Sequence, residues 1–167
     1  MVSDDRSSRV ALKPGVAVVS VSDVTAGWEA PPGSAVEEAL VYSGHAITRR
    51  ASVKRDHNEV QRALREAIED PEVQVIVIVG GTGLAKDDIT LEAVESFEEK
   101  PLPGFGEALR RLPEAGTGPE SCLLRGAAFV SEGKLVFCLP GSDDLARSAA
   151  EHLIGPVLEG AVKEANR

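Results

Sequence analysis

Cysteine and aromatic side chains are both scarce in this sequence. The shortage of cysteine excludes some metal and redox sites, and the shortage of aromatic residues limits which side chains can fill the core. The only cysteines are Cys122 and Cys138, which are too few and too far apart for a zinc knuckle or a redox dithiol. We therefore expect both to be reduced core residues. Aromatic residues make up 4% of the chain, so valine, leucine, isoleucine and alanine must fill the core.

Positive charge and long apolar runs are lacking as well. The net charge of −9 argues against a nucleic-acid binder, because neutralising phosphates requires a basic face. No apolar run approaches the length of a membrane span, and the amino terminus lacks the layout of a signal peptide. We expect a cytoplasmic protein with neither a membrane nor a nucleic acid as its partner.

The chain of 167 residues has the size of one domain with a good core. Residues 1–13 are polar and aperiodic, which predicts a mobile leader, and residues 14–167 form the single predicted domain. Apolar strands at 16–21, 45–53 and from Val73 onward alternate with amphipathic helices over short connections. Such βαβ units predict an α/β fold, a three-layer sandwich with a mostly parallel central sheet and helices on both faces.

Further elements follow the same logic. The pattern predicts four helices. The first covers residues 34–43, the second carries Val60, Leu64 and Ile68 on one face, the third begins at a Thr90 cap, and the fourth has a face running from Phe105 to Leu112. The pattern also predicts two strands around a turn at residues 132–133, and a last helix, capped by Ser142 or Asp143, that runs on to Leu153.

The most informative stretch is a β-branched run, residues 75–79, that ends in the glycine-rich residues Gly80-Gly81-Thr82-Gly83 and then in Asp88. Glycines after a buried strand allow a tight turn whose free amides can bind phosphate oxygens, and nearby carboxylates can hold the Mg²⁺ that accompanies phosphates. The alternative is a plain strand-to-helix turn with solvated acids.

Two more polar clusters follow strands, at residues 54–57 and 140–142, and the carboxyl edge of an open α/β sheet is where ligands bind. Lys54 and Arg55 would attract an anionic substrate, while Asp56 would ligate a metal or orient a nucleophile. The alternative for Asp56 is a helix cap. Glu107 follows a loop that could return to the same edge, although it would also stabilise the first turn of a helix.

Taken together, these residues resemble one family. The motifs Gly80-Gly81-Thr82-Gly83, Pro103-Gly104-Phe105-Gly106-Glu107 and Leu139-Pro140-Gly141-Ser142 are similar to the MoaB/MogA family of molybdenum-cofactor biosynthesis proteins. Ser22-Asp23 and Asp56 before these motifs, and Asp88 and Thr90 between the first two, fall in the same order. The resemblance extends from Val16 over nearly all of the chain. It departs from the family pattern at Pro113 and at Leu124-Arg125, where members often carry a serine and a Ser-Arg pair.

The resemblance implies a molybdopterin-binding domain that assembles as a homotrimer or a dimer of trimers. Active members transfer AMP from Mg-ATP to the molybdopterin phosphate and release pyrophosphate, so Mg²⁺, ATP and molybdopterin are the implied cofactor and substrates. By match of motif, Asp56 and Asp88 would be the two essential acids and the Mg²⁺ ligands. The implied nucleotide and molybdopterin contacts are Ser22, Asp23, Gly80, Gly81, Thr82, Gly83, Thr90, Glu107, Pro140, Gly141 and Ser142.

Two alternatives remain beside this molybdopterin adenylyltransferase. One is a non-catalytic relative that carries molybdopterin to other molybdenum-cofactor biosynthesis proteins, and the other is a CinA-like nucleotide pyrophosphatase. The Pro103-Gly104-Phe105 motif favours the first two over the third, while retention of both Asp56 and Asp88 favours catalysis over carriage. The pattern is compatible with a molybdenum or a tungsten pathway.

Overall fold

The structure is a computed structural model that describes residues 13–23 and 30–167. The predicted leader lies outside the described residues except for Lys13. Residues 24–29, which include the tryptophan at position 28, lie outside them too.

A six-stranded sheet with the order β2-β1-β3-β6-β5-β4 forms the centre of the fold. Its strands are β1 (Gly15–Val21), β2 (Ala46–Val53), β3 (Val75–Val79), β4 (Lys100–Pro101), β5 (Ala127–Ser131) and β6 (Lys134–Leu139). Strands β2, β1, β3 and β6 run parallel to one another, whereas β5 is antiparallel to both β6 and β4. The predicted, mostly parallel α/β sheet is therefore confirmed.

Helices cover both faces of this sheet. They are α1 (Ser34–Tyr42), α2 (His57–Glu69), α3 (Thr90–Val94), α4 (Pro103–Arg110), α5 (Asp143–Ala149) and α6 (Leu158–Ala165). Because side chains alternate along a strand, β1 supplies Val16 and Val18 to a core shared with α1, α4, α5 and α6. It supplies Ala17 and Val19 to a second core shared with α2 and α3.

The predicted last helix is interrupted. Helix α5 ends at Ala149. The chain then forms a wide π turn at Ala150–Ile154 and a 3-10 turn at Gly155–Val157 before α6 begins. Pro156 lies in that second turn and lacks the amide that a continuous helix would need. Ser142 precedes α5, but its side chain makes no capping hydrogen bond.

Two other predictions are wrong. Thr90 is the first residue of α3 rather than its cap, which is Ile89. Cys122 is exposed, whereas Cys138 is buried in the core as predicted. Burial raises the pKa of the Cys138 thiol, which therefore stays protonated at neutral pH.

Among the residues that the structure describes, no helix combines the length and apolar character needed to cross a membrane.

Candidate binding cleft

A cleft of about 470 Å³ lies where the parallel strands β1, β2, β3 and β6 end. Residues that follow these strands meet there because parallel strands present their carboxyl ends at one edge. The lining residues are Val21, Ser22, Pro32, Arg55, Gly80, Gly81, Thr82, Gly83, Asp88, Leu123, Leu124, Arg125, Pro140 and Gly141.

The turn after β3 forms the floor of the cleft and requires glycine. Gly80 and Gly81 have φ of +103° and +66°, values that side chains disfavour. A Cβ at Gly80 would meet the carbonyl oxygen of Val21, and one at Gly81 would meet Oγ1 of Thr90. The chain therefore passes too close to its neighbours here for any larger residue.

Thr90 holds this turn in place through two hydrogen bonds. Its buried hydroxyl donates to the carbonyl of Gly80 at 2.7 Å, and its amide donates to the carbonyl of Gly81 at 2.9 Å. Within the described part of the chain, the amides of Gly81, Thr82 and Gly83 make no hydrogen bond with a protein acceptor. The turn thus offers donors of the kind that bind phosphate oxygens.

Arg55 and Asp88 form an ion pair in the cleft. Arg55 Nη1 lies 3.2 Å from Asp88 Oδ1, and the other carboxylate oxygen of Asp88 accepts from the Ala85 amide at 3.1 Å. The Asp88 side chain is only 13% exposed. Asp23, after β1, also lies near Arg55, with Oδ2 at 3.7 Å from Nε.

The opposite wall comes from the irregular segment before β5. Leu123 and Leu124 line it, and Arg125 is held by Glu92 at 2.6 Å. Sequence reasoning did not assign these residues to the site, because a 3-10 segment such as Pro119–Leu123 has no hydrophobic period to read. The available signal was the position of Leu124-Arg125, where members of the resembled family often carry a Ser-Arg pair.

Eight of the thirteen predicted site residues line the cleft. These residues are Ser22, Gly80, Gly81, Thr82, Gly83, Asp88, Pro140 and Gly141. Two others contact the lining without joining it, because Asp23 accepts from the Arg55 amide and Thr90 donates to the carbonyl of Gly80. Glu107 is exposed on α4 and Ser142 is exposed before α5, and neither lines the cleft.

Asp56 has a different position from the one expected of a metal ligand. Its side chain is exposed and accepts from the Glu59 amide at 3.0 Å, as the N-cap of α2. Asp88 already accepts from an arginine and an amide, and the described residues contain no group of three or more His, Cys, Asp or Glu able to hold a metal ion. As arranged here, Asp56 and Asp88 do not fit a shared Mg²⁺ site.

Fold and cleft together define an α/β domain with a cleft at the carboxyl edge of a mostly parallel sheet, the edge where open α/β sheets bind ligands. The family model described as "Probable molybdopterin binding domain" matches residues 17–160. The chain belongs to the MoaB/MogA family of molybdenum-cofactor biosynthesis proteins.

Individual relatives agree with this assignment. Molybdenum cofactor biosynthesis protein B of Halalkalibacterium halodurans is 32% identical over 148 residues, which cover 88% of this chain and 87% of that protein. A crystal structure of a molybdenum cofactor biosynthesis protein B superposes with a TM-score of 0.86 at 31% identity, covering 93% of this chain and 97% of that one. The tungsten cofactor synthesizing protein MoaB of Pyrococcus furiosus gives a TM-score of 0.82 at 30% identity, covering 93% and 99%.

Proposed function

We propose that this chain binds molybdopterin in the cleft, with the phosphate of the ligand on the turn at residues 80–83. The observation that carries this proposal is the set of three amides, from Gly81, Thr82 and Gly83, that have no protein acceptor among the described residues and line the cleft. Backbone amides in such a turn stabilise a phosphate without a large reorganisation.

The reaction that we propose for the bound molybdopterin is adenylyl transfer, with Mg-ATP as the donor. An oxygen of the molybdopterin phosphate attacks the α-phosphorus of ATP, the bond from that phosphorus to the bridging oxygen breaks, and pyrophosphate leaves. Because this step brings anions together, the protein must mainly position and neutralise them. Arg55, Arg125 and the glycine amides are suited to that task, and Mg²⁺ would arrive with its nucleotide.

A second candidate is a non-catalytic carrier that binds molybdopterin and passes it to other molybdenum-cofactor biosynthesis proteins. One observation favours it. Asp56 caps α2 outside the cleft, and both oxygens of Asp88 already accept hydrogen bonds, so the two carboxylates implied for catalysis are not free to act together.

Incubation with molybdopterin, ATP and Mg²⁺, followed by measurement of pyrophosphate and of the adenylylated product, tests the reaction. We expect the two products in equal amounts, and Asp88→Asn should lower the rate at least about a hundredfold, the size of losing a principal electrostatic group. Asp70→Asn is the matched control, because Asp70 also pairs with an arginine, Arg49 at 3.4 Å, and accepts from an amide, that of Glu72 at 2.9 Å, but does not line the cleft.

The outcomes separate the two candidates. Molybdopterin binding without pyrophosphate release would overturn the adenylyltransferase and leave the carrier. Absence of molybdopterin binding would overturn both.

A further inference from the structure

Arg55 lines the cleft, yet much of its hydrogen-bonding capacity is unused. Its side chain is 33% exposed, and Nη1 is the atom that pairs with Asp88. Nε is buried and faces Asp23 Oδ2 at 3.7 Å without a hydrogen bond, and Nη2 forms no hydrogen bond with another described residue. A guanidinium carries five N–H donors in a planar fork that matches two oxygens of a phosphate.

Two carboxylates hold the Arg55 guanidinium at the cleft. Asp88 Oδ1 lies 3.2 Å from Nη1 and Asp23 Oδ2 lies 3.7 Å from Nε, while Nη2 has no hydrogen-bond partner among the described residues. The donors of Nη2 can therefore bind an oxygen of an anionic ligand. Asp88, engaged by Arg55 and by the Ala85 amide, is placed to orient the guanidinium.

We propose that Arg55, rather than a metal ion held by two carboxylates, neutralises the phosphate of the ligand, so that this chain binds phosphate-bearing ligands without a divalent cation. This inference rests on the proposed function and deepens it, since it names the group that recognises the acceptor phosphate. Asp88 is then a positioning residue for Arg55, and the turn at residues 80–83 contacts the remaining phosphate oxygens.

The chain offers a closely matched control in Arg49 on β2. Arg49 has the same side-chain exposure, 33%, and it too pairs with two carboxylates, Glu66 at 2.9 Å and Asp70 at 3.4 Å. It does not line the cleft. Arg49→Ala therefore removes the same charge, from the strand that precedes Arg55, without touching the proposed phosphate site.

Calorimetric titration with molybdopterin and, separately, with inorganic pyrophosphate tests the inference, each in excess Mg²⁺ and in excess EDTA. For the wild type we expect affinities that differ by less than about threefold between the two conditions. In EDTA, Arg55→Ala should bind at least about tenfold more weakly, the loss expected for a charge-assisted hydrogen bond. The affinity of Arg55→Lys should lie between those of the wild type and Arg55→Ala, because lysine keeps the charge but lacks the planar fork of donors. Arg49→Ala should stay within about twofold of the wild type.

Wild-type binding that disappears in EDTA would overturn the inference while leaving the proposed function intact, and this arm requires no variant to fold. Equal affinities for Arg55→Ala and Arg49→Ala, both folded by circular dichroism, would overturn it as well. Arg55-dependent binding of pyrophosphate with no binding of molybdopterin would overturn the proposed function and support Arg55 as a phosphate anchor. Binding of neither probe would overturn both.

Discussion

At the scale of single residues, the cleft depends on Gly81. Its φ of +66° lies in the left-handed region, and a methyl group there would meet Thr90 Oγ1 and approach Val21 Cγ1 at 3.2 Å. Thr90 cannot move away cheaply, because its hydroxyl and its amide hold the carbonyls of Gly80 and Gly81. Backbone strain and side-chain crowding therefore act at the same position.

We predict that Gly81→Ala lowers the free energy of unfolding by about 1–3 kcal/mol, the cost of a strained backbone position. It should also weaken molybdopterin binding at least about tenfold, since the displaced turn presents its amides poorly. Urea unfolding and calorimetric titration measure the two effects.

Gly160→Ala is the control for this variant. It lies in α6 with open space around its Cβ, so alanine should raise stability by up to about 1 kcal/mol. Wild-type stability and affinity in Gly81→Ala would contradict our account of the turn.

At the scale of elements, periodic segments were predictable and irregular ones were not. Helix α2 follows from its apolar stripe, and β3 from its uninterrupted β-branched run. Strand β4 (Lys100–Pro101) has two residues and no period. The role of Thr90 depends on the carbonyl of Gly80, a contact that propensity does not encode.

The residues of the cleft also divide into those that the sequence predicts and those that it does not. The glycine turn and Pro140-Gly141 follow buried strands, so their place at the carboxyl edge could be predicted. The sequence does not predict which of Arg55 and Asp56 enters the cleft, because neighbouring residues at a strand end point in opposite directions. The structure places Arg55 in the cleft and Asp56 at the start of α2.

The capping role of Asp56 gives a prediction about α2. Asp56→Ala should lower the free energy of unfolding by about 0.5–2 kcal/mol, because the Glu59 amide loses its acceptor. Asp56→Asn should stay close to the wild type, since asparagine caps helices about as well as aspartate. Chemical unfolding of both variants checks this, and equal losses in the two would refute the capping interpretation.

At the scale of the whole molecule, we predict assembly into a homotrimer or a hexamer, as the family resemblance implies. Aromatic-poor domains gain stability by burying more apolar surface between subunits. Val41 and Tyr42, at the end of α1, are 54% and 94% exposed in the single chain. Light scattering at micromolar concentration measures the mass, and a monomer would refute the prediction.

The two thiols should report on the integrity of the whole fold. Cys122 is exposed and Cys138 is buried with a raised pKa, and the thiolate is the reactive form. We predict that a disulfide reagent modifies Cys122 rapidly in the native protein and Cys138 only on unfolding. Cys122→Ser should abolish the rapid phase, and a second rapid thiol in the native protein would contradict the assigned burial.

The uninterrupted apolar strand β3 also has a consequence for how the chain reaches its native state. Residues 75–79 are fully buried between β1 and β6, and the β1 and β6 partners come from distant parts of the sequence. Parallel pairing of distant segments forms slowly. Until it forms, a β-branched segment without charge or proline is open to other copies of the chain. Refolding yield should consequently fall as protein concentration rises, with this strand as the point of intermolecular association.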